Sequence, residues 1–371
     1  MSSDLSTGVT PLRAIVADDT SLYRRMITDI LKAIPGVEVV GAAFDGEDCL
    51  TMADRLKPDL ITLDMQMPRR DGLSTLQEIK RRKLSAEVIM VCSQTVESAE
   101  QTLQAFRIGA LDMILKPNSS DFAANKKDLE TQLLNQVLAV RTRGGKRATS
   151  AVACRVRTQQ TAYFASKPTK NGRIKTPKCV CIGVSTGGPQ ALGVLIQGLP
   201  GDLPVPIFIV QHMPPLFTKS LAEHLNRNGQ IPVVEAVDGE VALNGKVYIA
   251  PGGKHMKVEK NPMGFKIRIT NDSPIGSCKP SVDYLFHSVD DCVGGEALAI
   301  ILTGMGSDGL AGCKRLHASG ARVIAQDPDS CVVYGMPRQI AENNLAHEIL
   351  PLNAVASRIV QILSKQSVLC S

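Results

Sequence analysis

Short apolar runs alternate with amphipathic stretches along most of the chain. Runs at 13–17 (RAIVA), 37–42, 60–63 (LITL), 88–91 (VIMV) and 113–115 (MIL) have the length of buried strands. Between them, 21–33, 46–56, 73–82 and 96–108 carry apolar residues at helical spacing, and a last helix is expected over about 122–141. Five β–α units in series predict a parallel sheet with helices on both faces.

The rhythm stops over 142–178, a stretch rich in Gly, Ser, Thr, Gln and basic residues with no sustained period, which reads as a flexible connection. It resumes with strand-like runs at 179–184, 207–210, 297–302 and 322–325. Helix-like stretches lie at 190–197, 216–228, 281–290, 309–318 and 353–365. An insert at 233–270 (VYIA, HMKVEK, GFKIRIT) reads as short antiparallel strands, a β-hairpin excursion. The expected fold class is therefore α/β with two doubly wound parallel-sheet domains. The first, over 12–141, is flavodoxin-like. The second, over 179–366, is Rossmann-like with a hairpin insert, and 142–178 joins them.

Charge changes this picture in one respect. The net charge is +6, yet the stretch from Arg141 to Lys178 holds eleven Lys/Arg and no Asp/Glu, which leaves −5 for the remainder. A basic connection without aromatic or groove-reading partners does not predict nucleic-acid binding. No apolar run approaches the roughly 20 residues that span a bilayer, so no membrane insertion is expected. The start MSSDLSTGVTP has no basic-then-apolar pattern and is not read as a secretory signal, so a cytoplasmic location is expected. The ten cysteines lack paired metal-type spacing, and Cys179 and Cys181 read as strand packing.

In the first domain, Asp18 and Asp19 close the first strand and Asp64 the third. Carboxyl ends of parallel strands line one crevice, where three carboxylates repel unless a hard cation such as Mg²⁺ joins them. Lys116 follows the fifth strand, before Pro117, and can reach back as a point charge for phosphate. Together they suit a transient aspartyl phosphate.

In the second domain, Gly183-Val184-Ser185-Thr186-Gly187 fits Gly-x-Ser-x-Gly between a strand and a helix, the setting of a nucleophile elbow. Glycine turns before helices also hold phosphate. The Lys of a P-loop is missing here, and so is Gly-x-Gly-x-x-Gly. The following helix N-terminus offers N–H groups to an oxyanion. For a base, His212 ends the strand run IFIVQ on the same rim, whereas His224, His287 and His317 fall on helices. Asp308, in ILTGMGSDG, lies just past another strand and can orient the base. His255 and Asp327 are rivals for these two roles.

Residues 13–130 resemble the receiver domain of two-component response regulators, through IVADD, LITLDMQMPRRDG and GALDMILKP. The resemblance implies Asp64 as phosphoacceptor, Asp19 as main Mg²⁺ ligand helped by Asp18 and the Gln66 carbonyl, and Lys116 as phosphate contact. Receivers carry Ser or Thr after the fourth strand. VIMVCSQT places Cys92 there, with Ser93 next. Residues 179–365 look like the CheB-type chemotaxis methylesterase domain, through IGVSTGGP, QHMPPLFTKSLAEHLN, VYIAPGGKHM, KPSVDYLFHSV and ILTGMGSDG. That resemblance implies Ser185 as nucleophile, His212 as base and Asp308 as its partner. It also implies that Thr186 N–H and the Met305 loop serve the oxyanion, with no cofactor for the ester chemistry. The implied substrates are glutamyl methyl esters and glutamines of methyl-accepting chemotaxis receptors, and the implied phosphodonor is a chemotaxis histidine kinase.

Overall fold

A computed structural model describes residues 10–153 and 176–364. They divide into two units, each treated by itself below. In the first unit the elements run β1 (Leu12–Ala17), α1 (Ser21–Ala33), β2 (Val37–Ala43), α2 (Gly46–Leu56), β3 (Leu60–Asp64), α3 (Gly72–Arg81), β4 (Glu87–Cys92), α4 (Val96–Ile108), β5 (Asp112–Leu115) and α5 (Phe122–Ala153). Every strand pairing is parallel and the order is β2-β1-β3-β4-β5. The three central strands are almost wholly buried and Val/Ile/Leu-rich, as a sheet covered on both faces requires. The chain reverses direction in the sheet at β1/β3, so the carboxyl ends of those strands open onto one crevice.

Helix α5 runs past the expected end near 141. No proline lies between Pro117 and Ala153, and Ala, Arg and Lys favour helix, so Gly144 and Gly145 are the main residues in 142–153 that oppose its continuation. Residues 142–153 of the stretch read as a flexible connection are thus helical in backbone, while 154–175 lie outside the described residues, as does the N-terminus through residue 9.

The second unit holds β6 (Cys179–Val184), α6 (Gly188–Gln197), β7 (Ile207–Gln211), α7 (Phe217–Asn228), β8 (Val233–Glu235), β9 (Val247–Ile249), β10 (His255–Asn261), β11 (Gly264–Thr270), α8 (Val282–Val293), β12 (Ala297–Ile301), α9 (Leu310–Ala318), β13 (Arg322–Gln326), α10 (Met336–Glu342), β14 (Glu348–Leu350) and α11 (Leu352–Ser364). Seven strands form one parallel sheet, β14-β13-β12-β6-β7-β9-β8. This corrects the reading of 233–270. VYIA is not part of an antiparallel insert: β9 pairs in parallel with both β7 and β8. Only β10 and β11 make the antiparallel hairpin. Three-residue strands carry too little pattern to reveal their partners, which is why the edge of the sheet was misread. For the same reason α10 and β14 went unforeseen.

The hairpin packs on α8. Met256, Val258, Phe265 and Ile267 share a buried cluster with Val282, Leu285, Phe286 and Val289. Val258 N–H donates to Ser288 Oγ at 3.0 Å, fixing hairpin and helix in register. Cys179 and Cys181 are fully buried in the same cluster, as strand packing requires. Among the described residues no helix is long and apolar enough to cross a membrane.

Ile300 is fully buried at the centre of the sheet, between Ile182 and Ile324. Ile300→Ala is expected to cost about 2–5 kcal/mol, read as a lower denaturant midpoint at unchanged slope. A loss below about 1 kcal/mol would mean that the sheet centre relaxes around the cavity.

Candidate active site

Adjacent strands deliver Ser185 and His212 side by side. Val184 pairs with Gln211 across β6 and β7, and the His212 N–H donates to the Val184 carbonyl at 3.1 Å. The next residue on each strand therefore emerges on the same rim. The turn after Ser185 closes through Gly188 N–H to Ser185 O at 2.7 Å. Gly187 sits at φ +75°, where a side chain would also strike Val332. Gln211 Nε2 donates to the carbonyls of both Ser185 and His212, at 3.0 and 3.2 Å, and so ties the two turns together.

The third wall comes from the loop after β12. Ser185 N–H donates to Thr303 O at 3.0 Å, and Thr303 Oγ1 donates to Thr186 O at 3.0 Å. A Cβ on Gly304 would lie 2.8 Å from the Ser185 Cβ, so only glycine lets this loop approach the serine so closely. Met305 follows directly. Thr186 and the loop that carries Met305 are therefore both brought next to Ser185, with Thr186 at the turn that leads into α6.

Asp308 is held from several directions. Its Oδ2 lies 2.8 Å from His212 Nε2 and accepts Val282 N–H at 2.7 Å. Its Oδ1 accepts Asp283 N–H and Ser281 Oγ–H, each at 2.9 Å. Two of these donors are first-turn amides of α8, so the carboxylate completes the positive end of a helix to which it does not belong. Burial pushes the Asp308 pKa up, but the His212 bond and these amides outweigh it and hold the carboxyl below its ordinary value. At His212 burial works against the charged form too, and the bond to Asp308 together with the nearby Cys278 overcomes it, raising the imidazole to about 9.

The rivals are committed elsewhere. His255 is buried and stacks on Tyr284. It accepts Ser281 N–H on Nδ1 at 3.2 Å, so Nε2 carries the proton it gives to Ser273 O at 3.1 Å. Burial lowers its pKa. It braces the segment that anchors Asp308 and does not face it. Asp327 accepts the Ser330 N–H and hydroxyl, closing its own turn. Sequence reasoning missed Ser281, Gln211, Thr303 and Cys278. A Ser just before an amphipathic helix is a capping signal that could have found Ser281. The other three carried no local pattern.

In the first unit Asp18 and Asp64 are buried and Asp19 exposed, and a carboxylate oxygen from each lies within 4.8 Å of the others. Lys116 Nζ bridges Asp64 Oδ2 at 2.8 Å and Asp18 Oδ2 at 2.9 Å. Burial, then the neighbouring Asp18, pushes Asp64 up to about 6 against the opposing pull of Lys116. Such a crowded, partly neutralised set fits a hard divalent cation. Gln66 is exposed two residues past Asp64. Neither candidate switch group is free. The Cys92 thiol is fully buried 3.1 Å from Thr102 Oγ1, and Ser93 Oγ pairs with Ser98 Oγ at 2.8 Å.

Comparison with known proteins adds the following. The family model of the CheB methylesterase matches residues 180–359, and that of the response regulator receiver domain matches 14–125. The protein-glutamate methylesterase/protein-glutamine glutaminase of Desulfotalea psychrophila is 45% identical over 355 residues, covering 94% of this chain and 98% of its own. The protein of the same name from Bacillus subtilis is 42% identical, covering 96% and 100%. The crystal structure of the Thermotoga maritima CheB methylesterase catalytic domain is 38% identical, with a TM-score of 0.49, and covers 50% of this chain and 99% of that one.

In the role of base proposed below, His212, raised to about 9, sets opposite trends with pH. Neutral imidazole becomes more abundant as pH rises, so ester hydrolysis should climb from pH 7 toward 9. The His212–Asp308 pair stabilises the fold fully below about 6.5, the unfolded value, and that contribution fades as pH rises through about 9. Asp308→Asn should move the rate midpoint down and lower the rate about 10²–10⁴-fold. An unchanged midpoint in that variant, measured as kcat/KM against pH, would remove Asp308 as the cause.

Proposed function

Because the chain belongs to the protein-glutamate methylesterase/protein-glutamine glutaminase family and is an enzyme of that class, we propose that Ser185 is its nucleophile, His212 the base and Asp308 the group that orients the base. The observation that carries the reading is the 2.8 Å bond between His212 and an Asp308 fixed on helix amides, beside a serine on the adjoining strand.

The chemistry follows from the geometry. With Nε2 facing Asp308, Nδ1 is left for the Ser185 hydroxyl. Ser185 Oγ attacks the γ-carbonyl of a glutamyl methyl ester as its proton passes to His212. The negative charge that develops on the carbonyl oxygen falls between the Thr186 N–H and the loop at Met305. Collapse expels methanol, which takes the proton from the imidazolium. Water then attacks the acyl-enzyme by the same relay, freeing the glutamate carboxylate and Ser185. A glutamine side chain follows the same course and releases ammonia. The substrates are side chains on methyl-accepting chemotaxis receptors.

The receiver portion supplies regulation. Asp64 accepts a phosphoryl group from a chemotaxis histidine kinase, and Lys116 is placed to pair with the added charge. Asp18, Asp19 and Asp64, with the Gln66 carbonyl, would hold Mg²⁺, which when bound neutralises the carboxylates that repel an anionic donor. Phosphate on Asp64 can change the hydrolysis rate only by the free energy with which it favours one state of the enzyme over another, so the response is finite.

Ser185→Ala should lower methanol release from methylated receptor membranes about 10⁴-fold or more, and adding His212→Ala should cost little further. Turnover near the wild-type rate in Ser185→Ala would sink the nucleophile assignment. Asp64→Asn should abolish labelling by a small phosphodonor and with it any phosphodonor-dependent change in methanol release. Normal labelling of that variant would place the phosphoacceptor elsewhere.

A further inference from the structure

Cys278 has no part in the ester chemistry, yet it sits on the catalytic pair. Its Sγ, a ring nitrogen of His212 and a carboxylate oxygen of Asp308 all lie within 4.8 Å of one another. Imidazole, thiolate and carboxylate are the donors that Zn²⁺ prefers, and sulfur selects it over Mg²⁺ or Ca²⁺. We propose that His212, Cys278 and Asp308 form an inhibitory zinc site, in which the ion replaces the proton between His212 Nε2 and Asp308 and takes Cys278 as third ligand. The inhibitory part rests on the assignment of His212 as base. The metal site itself does not.

The mobility of the three groups decides whether the site can close. Bonds of about 2.0–2.3 Å in a tetrahedron put ligand atoms about 3.3–3.7 Å apart. Asp308 is pinned to α8 and His212 stands at a strand end, so neither can travel far. Cys278 is less tightly held: it is half-buried at the end of the exposed stretch 271–277, in a turn whose backbone closes through its paired hydrogen bonds with Ile275, at 3.0 and 3.2 Å. His212 and Asp308 need to separate by about half an ångström from 2.8 Å to admit the ion. Three protein ligands leave a fourth position for water, as in sites that exchange metal.

Charge and protons balance without a co-reactant. The ion displaces the proton of the Cys278 thiol and the one shared by His212 and Asp308, and both go to solvent. Occupied in this way at Nε2, His212 keeps its remaining proton on Nδ1, so the nitrogen that must take the Ser185 proton is no longer a base. A soft metal ion would thus silence the esterase without touching the receiver.

The test titrates Zn²⁺ against the full chain in the presence of a chromophoric chelator, and in parallel Co²⁺, whose thiolate charge-transfer absorption reports bonding to sulfur. Wild type should bind one zinc that Cys278→Ser binds more weakly by at least the about 10–100-fold that loss of even an outer partner costs. The cobalt band should be present in wild type and missing in Cys278→Ser. Ser185→Ala should bind as wild type does, so the site is measured apart from the esterase assignment. Methanol release, measured in each protein relative to its own metal-free rate, should fall with zinc occupancy in wild type, recover with chelator, and resist the same zinc concentration in Cys278→Ser. Equal zinc affinity in wild type and Cys278→Ser, or no cobalt–sulfur band, would overturn the site. Cys278-dependent binding with unchanged methanol release would overturn its inhibitory role.

Discussion

The catalytic unit depends on one carboxylate being held still. Asp308 lies on the loop before α9 but is bonded to the first amides of α8, a helix from another part of the chain. Charge-assisted bonds of this kind contribute about 1.5–3 kcal/mol each, enough to keep a buried anion in place where desolvation alone would protonate it. His212 inherits its orientation and its raised basicity from that anion. Ser185 inherits its place from β6 and from the loop that carries Gly304. The helix end adds to the pull of His212 in keeping the carboxylate charged, and the fixed carboxylate in turn points the imidazole one way.

The first unit solves the related problem of crowded carboxylates differently. Asp18 and Asp64 are buried close together, and Lys116 bridges them. A single flexible ammonium lies between them and offsets part of their charge. Asp308 is fixed by backbone, whereas Asp64 is balanced by a side chain. The contrast suits the two roles proposed for them, a catalytic group that stays still and a phosphoacceptor that changes partners.

Much of this was legible in the sequence because strand ends are legible. The apolar runs at 13–17, 60–63, 179–184 and 207–210, four to six residues long, stop at or one residue before the strand ends, and the candidate groups stand one or two residues beyond each run. Helices α2 and α4 were read to the residue, since their apolar spacing and their stops agree. The short strands β8, β9 and β14 were not, because three residues hold no period. The partners of Asp308 were also hidden: Ser281 and Val282 lie 26 or 27 positions away, and only the packing of α8 against the sheet brings them there. The same holds for Cys278, an unremarkable thiol in a polar loop until the fold sets it beside His212. The switch position after β4 was legible as a departure, but that both Cys92 and Ser93 have internal partners was not.

The hairpin of β10 and β11 packs on α8 and, through Phe265 against Phe208, on the sheet, and α8 in turn presents the amides that hold Asp308. Mechanically the catalytic pair stands at the tip of a strut whose far end is an exposed turn at 261–264. Substitution in that turn should cost the fold little, because residues 262–264 are exposed. Substitution in the buried face behind it should cost more, since a displaced Phe265 or Val258 would tilt the strut and move the carboxylate. A lineage could therefore retune its rate through residues remote from the reaction, and a catalogue of the groups at the rim would miss where that adjustment was made.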